Sequence, residues 1–260
     1  MSNEITRVIA NTAYQTYEKR LFKEIMEDDI PKHVAIIMDG NRRFAMEIGL
    51  AAHDGHIKGK EKLEEVMEWC LEMGIRVLTV YAFSTENLDR DETEVQCLMD
   101  LFEENFLKLA VDQRIHKHRI KVTVLGQREL LPERVLKAID VVEQRTGDYD
   151  QYFYNIALAY GSRQEMISAI RRIACKVKEG LLDVQDIDEK MFSSFLYTAD
   201  FPDPDLVLRT SGEERVSNFL LWQLAYSELY FTDVFWPGFR KVDFMRAIRS
   251  YQARQRRFGK

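Results

Sequence analysis

Three segments of this chain gather side chains that can hold an anion or a hard cation. The first, Asp39-Gly40-Asn41-Arg42-Arg43, closes an apolar run. A carboxylate there can hold Mg²⁺, a following helix start offers free N–H groups to a phosphate, and arginine adds charge-assisted bonds. Asp39 as an ordinary helix cap, with solvent-facing arginines, is the competing reading. The second, Phe83-Ser84-Thr85-Glu86-Asn87-Leu88-Asp89-Arg90, is dense in hydrogen-bonding groups directly after another apolar run. Arg90 could reach a phosphate, and Ser84 and Asn87 could orient a substrate or relay a proton; alternatively Ser84 or Thr85 simply caps a helix. The third, Arg209-Thr210-Ser211-Gly212-Glu213-Glu214-Arg215-Val216-Ser217-Asn218, sets two arginines and small hydroxyl residues around a glycine. It reads as a diphosphate cradle at a helix N-terminus, against an ordinary salt-bridged loop.

The histidines add less. His53 and His56 are three apart, but no third residue is spaced to complete a zinc site. His56 precedes a helical pattern and could contact phosphate, whereas His33, His116 and His118 read as surface or strand-end residues.

The elements that must carry these segments follow from apolar patterning. Runs at 33–39, 75–83, 120–126, 152–160 and 205–210 are nearly continuous in apolar residues, as suits strands covered on both faces. Between them lie helical stripes, such as Leu63, Val66, Met67, Cys70 and Leu71, and Met166, Ile167, Ile170, Ile173, Ala174 and Val177. Gly74 and Gly180 stand where helix C-terminal glycines belong, and Pro132 opens another helix. The alternation predicts an α/β fold with a central, mostly parallel sheet flanked by helices. In such sheets ligands bind beyond the carboxyl ends of the strands, where the three polar segments fall. Residues 1–30 read as a charged amphipathic helical extension, either covering the site or lying on the surface, and residues 31–260 as one catalytic domain.

Composition sets the outer limits. The chain has 260 residues, 46% hydrophobic and 31% charged, with a formal net charge of −6. That acidity argues against a nucleic-acid partner, because phosphate backbones select basic surfaces. Cys70, Cys97 and Cys175 form no CxxC pair and read as reduced core cysteines of a cytosolic protein. With no secretory signal and no long apolar run, the expectation is a cytoplasmic protein in at most peripheral contact with a membrane.

Taken together, HVAIIMDGNRRFA, GHIKG, GIRVLTVYAFSTEN, DLVLRTSGEERVSNFLLWQLAYSELYFTDVFWPGF and the closing RRFG resemble the cis-prenyltransferases, the family of undecaprenyl and dehydrodolichyl diphosphate synthases. The resemblance runs from about Pro31 to Gly259. It implies an α/β fold with a hydrophobic tunnel, a homodimer, and Mg²⁺-dependent addition of isopentenyl diphosphate to an allylic prenyl diphosphate with a cis double bond, giving a medium or long product. By motif, Asp39 would hold Mg²⁺ and assist departure of the allylic diphosphate, with Glu228 near the metal. Gly40, Asn41, Arg42, Arg43, Phe44 and His56 would line the allylic site. Arg209, Arg215 and Ser217 would bind isopentenyl diphosphate. Ser84, Asn87 and Arg90 match a loop that assists condensation and proton removal. Arg257 and Gly259 match a terminal motif that reaches a partner subunit's site; composition alone would make that basic tail a frayed end.

The chain departs from the family pattern at three places. Ala52 stands where an arginine usually helps grip the allylic diphosphate, a loss that Arg42 could offset. Leu88 replaces a tryptophan, and Ala159 and Ser162 stand where bacterial members usually have Asn and Gly. These changes raise the alternative of an altered coupling, such as prenyl transfer to a prenyl alcohol or a condensation that is not head-to-tail. A non-catalytic subunit would be expected to lose Asp-Gly-Asn and the Asn-bearing loop, which are present. No nucleophile elbow, histidine triad or Walker loop supports a hydrolase.

Overall fold

The computed structural model describes residues 2–255, with side chains from Tyr14 to Arg254. Six strands, β1 (His33–Ile37), β2 (Val77–Ser84), β3 (Ile120–Leu125), β4 (Tyr152–Tyr160), β5 (Leu206–Arg209) and β6 (Glu228–Phe231), form one sheet in the order β3-β4-β2-β1-β5-β6. Every pairing is parallel. All carboxyl ends therefore meet at one edge, and the order reverses beside β1, where Asp39 follows.

Nine described α-helices surround the sheet: α1 (Ser2–Met26), α2 (Asn41–Glu47), α3 (Ala52–Met73), α4 (Glu92–Leu109), α5 (Gln113–Lys117), α6 (Glu133–Thr146), α7 (Ser162–Lys178), α8 (Glu189–Ser193) and α9 (Lys241–Gln255). Strand β1 shows why its sequence is almost wholly apolar. Val34 and Ile36 enter a core shared with α3, α4, α6 and α9, while Ala35 and Ile37 enter a second core with Tyr81, Tyr160 and Phe219 on the opposite face. Successive side chains point to opposite faces, so a doubly covered strand needs both sets apolar. Helix α1 packs along α9 and plants Leu21 and Ile25 in the first core. None of its described side chains, from Tyr14 on, lines the site.

Several expectations need correction. Strand β6 is not legible in the sequence because its four residues are each only half-buried at the sheet edge, within a longer apolar run. No helix follows Gly212: residues 211–227 are turns, with positive φ at Ser211, Ser217, Asn218 and Leu220 that a helix cannot accept. On α7 the buried stripe is Ser162, Glu165, Ala169 and Ile173, while Ile167 and Ile170 are about half exposed (49% and 51%). Glu165 goes inside because Tyr160 Oη (2.6 Å), Tyr197 N (2.7 Å) and Gln223 Nε2 (3.2 Å) all donate to it. Only Cys70 is a core thiol; Cys97 is half-buried and Cys175 is exposed. His33 begins β1 but is 1% exposed, its ring held by Pro202 O (2.6 Å) and Thr79 Oγ1 (2.8 Å).

Candidate active site

Asp39 lies just past β1, its backbone fixed by Thr210, whose hydroxyl accepts from Asp39 N at 3.0 Å and donates to Asp39 O at 2.7 Å. Gly40 next takes φ +102°, and a Cβ there would stand 2.7 Å from Phe235 Cδ1, so the turn into α2 requires glycine. The carboxylate of Asp39 meets an arginine on each side. Arg209 Nη2 donates to Oδ2 at 2.8 Å, and Arg43 Nη2 lies 3.3 Å from Oδ1. Burial alone would raise the Asp39 pKa, but the Arg209 guanidinium and its neighbours hold it below the ordinary carboxylate value.

Arg209 is 5% exposed and also donates to Ser217 Oγ at 2.8 Å and to the Arg215 carbonyl, yet its Nε has no partner. Arg215 is exposed and ion-paired to Glu213, which also receives Arg43. Arg43 donates to Ser211 Oγ at 2.6 Å and lies 5.5 Å from the Phe235 ring centroid. Four non-glycine residues at positive φ within 211–220 show a loop held in a costly shape, as at many functional sites.

A second group of cations lies across the cleft. Glu94 of α4 receives Arg90 Nη1 at 3.0 Å and Arg42 Nη1 at 3.4 Å, and His56 Nε2 stands 3.6 Å from it. Burial lowers the His56 pKa despite that carboxylate, so its ring is neutral at pH 7. His56 Nε2 and Asn41 Oδ1 are buried without hydrogen-bond partners. Unsatisfied buried polar groups are uncommon, and here they line one cleft with Arg209 Nε.

Gly55 and Gly59 explain how Asn41 and His56 come together. A Cβ at Gly55 would stand 2.2 Å from Asn41 O, and one at Gly59 2.3 Å from Asn41 Oδ1. The two glycines, one helical turn apart, therefore let α2 lie directly on α3. On the opposite wall Asn87 Oδ1 accepts from Ser84 N at 3.1 Å, and Leu88 packs against the main core. Ser162 Oγ accepts from Leu221 N at 2.9 Å, so its hydroxyl pins the strained loop.

These groups line a cleft of about 610 Å³ that includes Asp39, Asn41, His56, Ser84, Asn87, Arg90, Arg209, Arg215 and Ser217. Met38, Asn41, His56, Ala82 and Leu98 are shared with a narrower, mainly apolar cavity of about 130 Å³ running between α3 and α4. Gly40, Arg42, Arg43 and Phe44 do not line either cavity; Arg42 and Arg43 reach the site through Glu94 and Asp39, while Phe44 lies near Gly238. Glu228 is not brought to Asp39. It opens β6, at the amino end of a parallel sheet, and pairs with Arg254 at 2.7 Å. Arg257 and Gly259 lie outside the described residues. Tyr81 and Asn218, to which the sequence assigns no role, also line the cleft: Tyr81 Oη donates to Ser217 O at 3.3 Å and Asn218 Nδ2 to Glu86 at 3.2 Å. The adjoining apolar and motif residues were the only signal for them.

Residues 37–259 match the model of the family described as "Putative undecaprenyl diphosphate synthase". The chain belongs to the cis-prenyltransferase family. A tritrans,polycis-undecaprenyl-diphosphate synthase (geranylgeranyl-diphosphate specific) of Methanopyrus kandleri is 53% identical over 99% of this chain and 95% of that protein. The protein of the same name from Thermococcus kodakarensis is 52% identical over 99% and 98%. Among solved structures, lavandulyl diphosphate synthase from Lavandula x intermedia, in complex with dimethylallyl diphosphate, superposes with a TM-score of 0.80 at 36% identity, over 86% of this chain and 95% of that one. A probable undecaprenyl diphosphate synthase from Campylobacter jejuni gives 0.72 at 31%, over 89% and 100%.

Proposed function

We propose that this cis-prenyltransferase condenses isopentenyl diphosphate with an allylic prenyl diphosphate of geranylgeranyl size, building a medium or long polyprenyl diphosphate through successive cis additions. The observation that carries this reading is Asp39 between two arginine groups at the mouth of an apolar cavity. The relatives' geranylgeranyl specificity supports the choice of starter.

In this reading the allylic diphosphate lies towards Asn41, Arg43, His56 and the Arg42–Arg90 pair, with its tail between α3 and α4. The second diphosphate lies on Arg209, Arg215 and Ser217. The allylic C1–O bond breaks, and the isopentenyl double bond supplies the electrons for the new bond from its C4 to C1. A proton then leaves C2 for the departed diphosphate, with Ser84 and Asn87 orienting the exchange. Negative charge grows on the leaving group, so fixed arginines and neutral, donating His56 stabilise the transition state more than the ground state.

The donor set fits Mg²⁺ in one respect: the ion is commonly held by one or two carboxylates together with substrate phosphates, and Asp39 is such a carboxylate. When bound there it would add positive charge against the leaving diphosphate. Among the described residues no three metal-ligating side chains are gathered, and Glu228 is not part of this set.

The 130 Å³ cavity is smaller than a cavity of about 150 Å³ that accepts benzene, so a growing tail must part α3 from α4. Met67 and the phenylalanines on its walls make a surface that can repack. Each buried CH₂ contributes about 0.8 kcal/mol towards that opening. We further infer a homodimer in which the terminal Arg257-Phe258-Gly259 serves the partner's site. Among the described residues no helix is long and apolar enough to cross a membrane, and delivery of a lipid product calls only for peripheral contact.

The test is purified protein with Mg²⁺, labelled isopentenyl diphosphate and a panel of allylic diphosphates, with and without a prenyl alcohol, products being resolved by length and linkage. Successive C5 additions support the reading. Prenylation of the alcohol, or coupling at an irregular carbon without elongation, would replace it with the altered coupling raised by Ala52.

A further inference from the structure

The far end of the apolar cavity is closed by charge. Its lining passes from His56 and Leu98 near the cleft to Glu64, Lys108, Leu109, Asp112 and Arg114. At 1.5 Å per residue, His56 to Glu64 is about 12 Å along α3 and Leu98 to Leu109 about 16 Å along α4. Between those levels the walls are mainly Leu63, Met67, Leu101, Phe102, Phe106 and Ile156.

At the closed end Arg114 joins the two helices that form the walls. Its Nη1 donates to Glu68 Oε1 at 2.7 Å and its Nη2 to Glu64 Oε2 at 3.3 Å, both on α3. On the α4 side, Asp112 just beyond that helix receives Arg114 Nη2 at 2.6 Å, Nε at 3.1 Å and the Arg114 backbone N at 2.8 Å. The guanidinium is thus anchored to its own loop and reaches across to α3. At the cleft end the neutral ring of His56 only faces Glu94, at 3.6 Å. Helices α3 and α4 are linked by charge at the far end and by apolar contact between.

We propose that Arg114 clasps the far end of the tunnel and sets the length at which the prenyl chain stops growing. This rests on the elongation reading above. Each added C5 unit gains burial while it lies between α3 and α4. A unit that reaches Arg114 must break the clasp and emerge into water, so further addition loses that driving force. The side chain is 34% exposed and Glu64 and Glu68 more so, which places solvent directly behind the clasp.

The experiment compares product length in full-chain wild type, Arg114→Ala, Arg114→Lys and the double variant Glu64→Gln/Glu68→Gln, with Mg²⁺, geranylgeranyl diphosphate and excess isopentenyl diphosphate. Length per product molecule is a readout that a general loss of structure or rate does not shift upward. Arg114→Ala and the double variant are expected to move the dominant product longer by at least one C5 unit, and Arg114→Lys by less. If Arg114→Ala fails to fold, the double variant decides, because it cuts the same bridge while leaving Arg114 on Asp112. Unchanged or shorter products from an elongating wild type and variants would overturn the clasp alone. A wild type that never elongates would overturn the elongation reading and the clasp with it.

Discussion

Gly55 and Gly59 on α3 separate stability from substrate binding, and substituting each with alanine tests the close approach of α2. An added Cβ at Gly55 would meet the Asn41 carbonyl oxygen at 2.2 Å and the Ala45 Cβ at 3.0 Å. That oxygen is backbone, so α2 must lift by roughly 1 Å, and overpacking of this kind costs about 1–3 kcal/mol. Replacing a mid-helix glycine by alanine otherwise gains about 1 kcal/mol. The net for Gly55→Ala is a loss of up to about 2 kcal/mol, a fall in Tm of up to about 4 °C for a chain of this size. At Gly59 the nearest atom, 2.3 Å away, is the end of the Asn41 side chain, which can swing aside. Gly59→Ala should therefore keep or slightly raise Tm while displacing Asn41 from the cleft. A lost hydrogen bond to a charged group is worth about 1.5–3 kcal/mol, ten- to a hundredfold in KM for the allylic diphosphate. Thermal unfolding and steady-state kinetics on both variants give the answer. Wild-type KM in Gly59→Ala together with undiminished Tm in Gly55→Ala would refute the argument.

Three further outcomes are expected. Arg42→Ala should raise the allylic KM about ten- to a hundredfold, and adding Ala52→Arg should restore it, if Arg42 supplies the grip that Ala52 lacks; kinetics of the single and double variants check this, and an Arg42→Ala variant with unchanged KM would count against it. Asp39→Asn should lower kcat about 10²- to 10³-fold, the usual effect of removing a preorganised electrostatic group, measured as incorporation of labelled isopentenyl units. Burial holds the His33 pKa at about 4, below its unfolded value of 6.5. The unfolded chain then binds the extra proton first, so stability is full above pH 6.5 and falls as pH drops towards 4. His33 alone accounts for up to about 3 kcal/mol of that loss, and His33→Gln should flatten the slope in denaturant titrations across this range.

Much of this architecture could be read from the chain because burial on both faces writes itself as unbroken apolar runs. Strands β1 to β5 fell within about two residues of their predicted bounds. Asp39, Arg209 and Arg43 were legible as types at strand ends, although their convergence on one carboxylate was not. What escaped was set by long-range packing. Glu165 is inside because three donors from separate segments surround it, which no helical periodicity reveals. Residues 211–227 resemble a helix in composition, but their backbone is fixed by contacts to Val234, Thr232 and Ser162. Glu228 was assigned by motif to the metal, whereas the parallel pairing of β6 puts it at the opposite end of the strand. Gly55 and Gly59 stand in the GHIKG segment; their reason, the close seat of Asn41, needs the neighbouring helix.

Helix α3 carries His56 near one end and Glu64 and Glu68 further along, about 12–18 Å away at the helical rise. Substitutions that far apart with no shared partner combine nearly additively. With the proposed starter site at one end and the proposed clasp at the other, starter choice and lipid length become two separately heritable traits. A single gene duplication followed by drift at one end of this helix would be enough to diversify one trait while leaving the other in place.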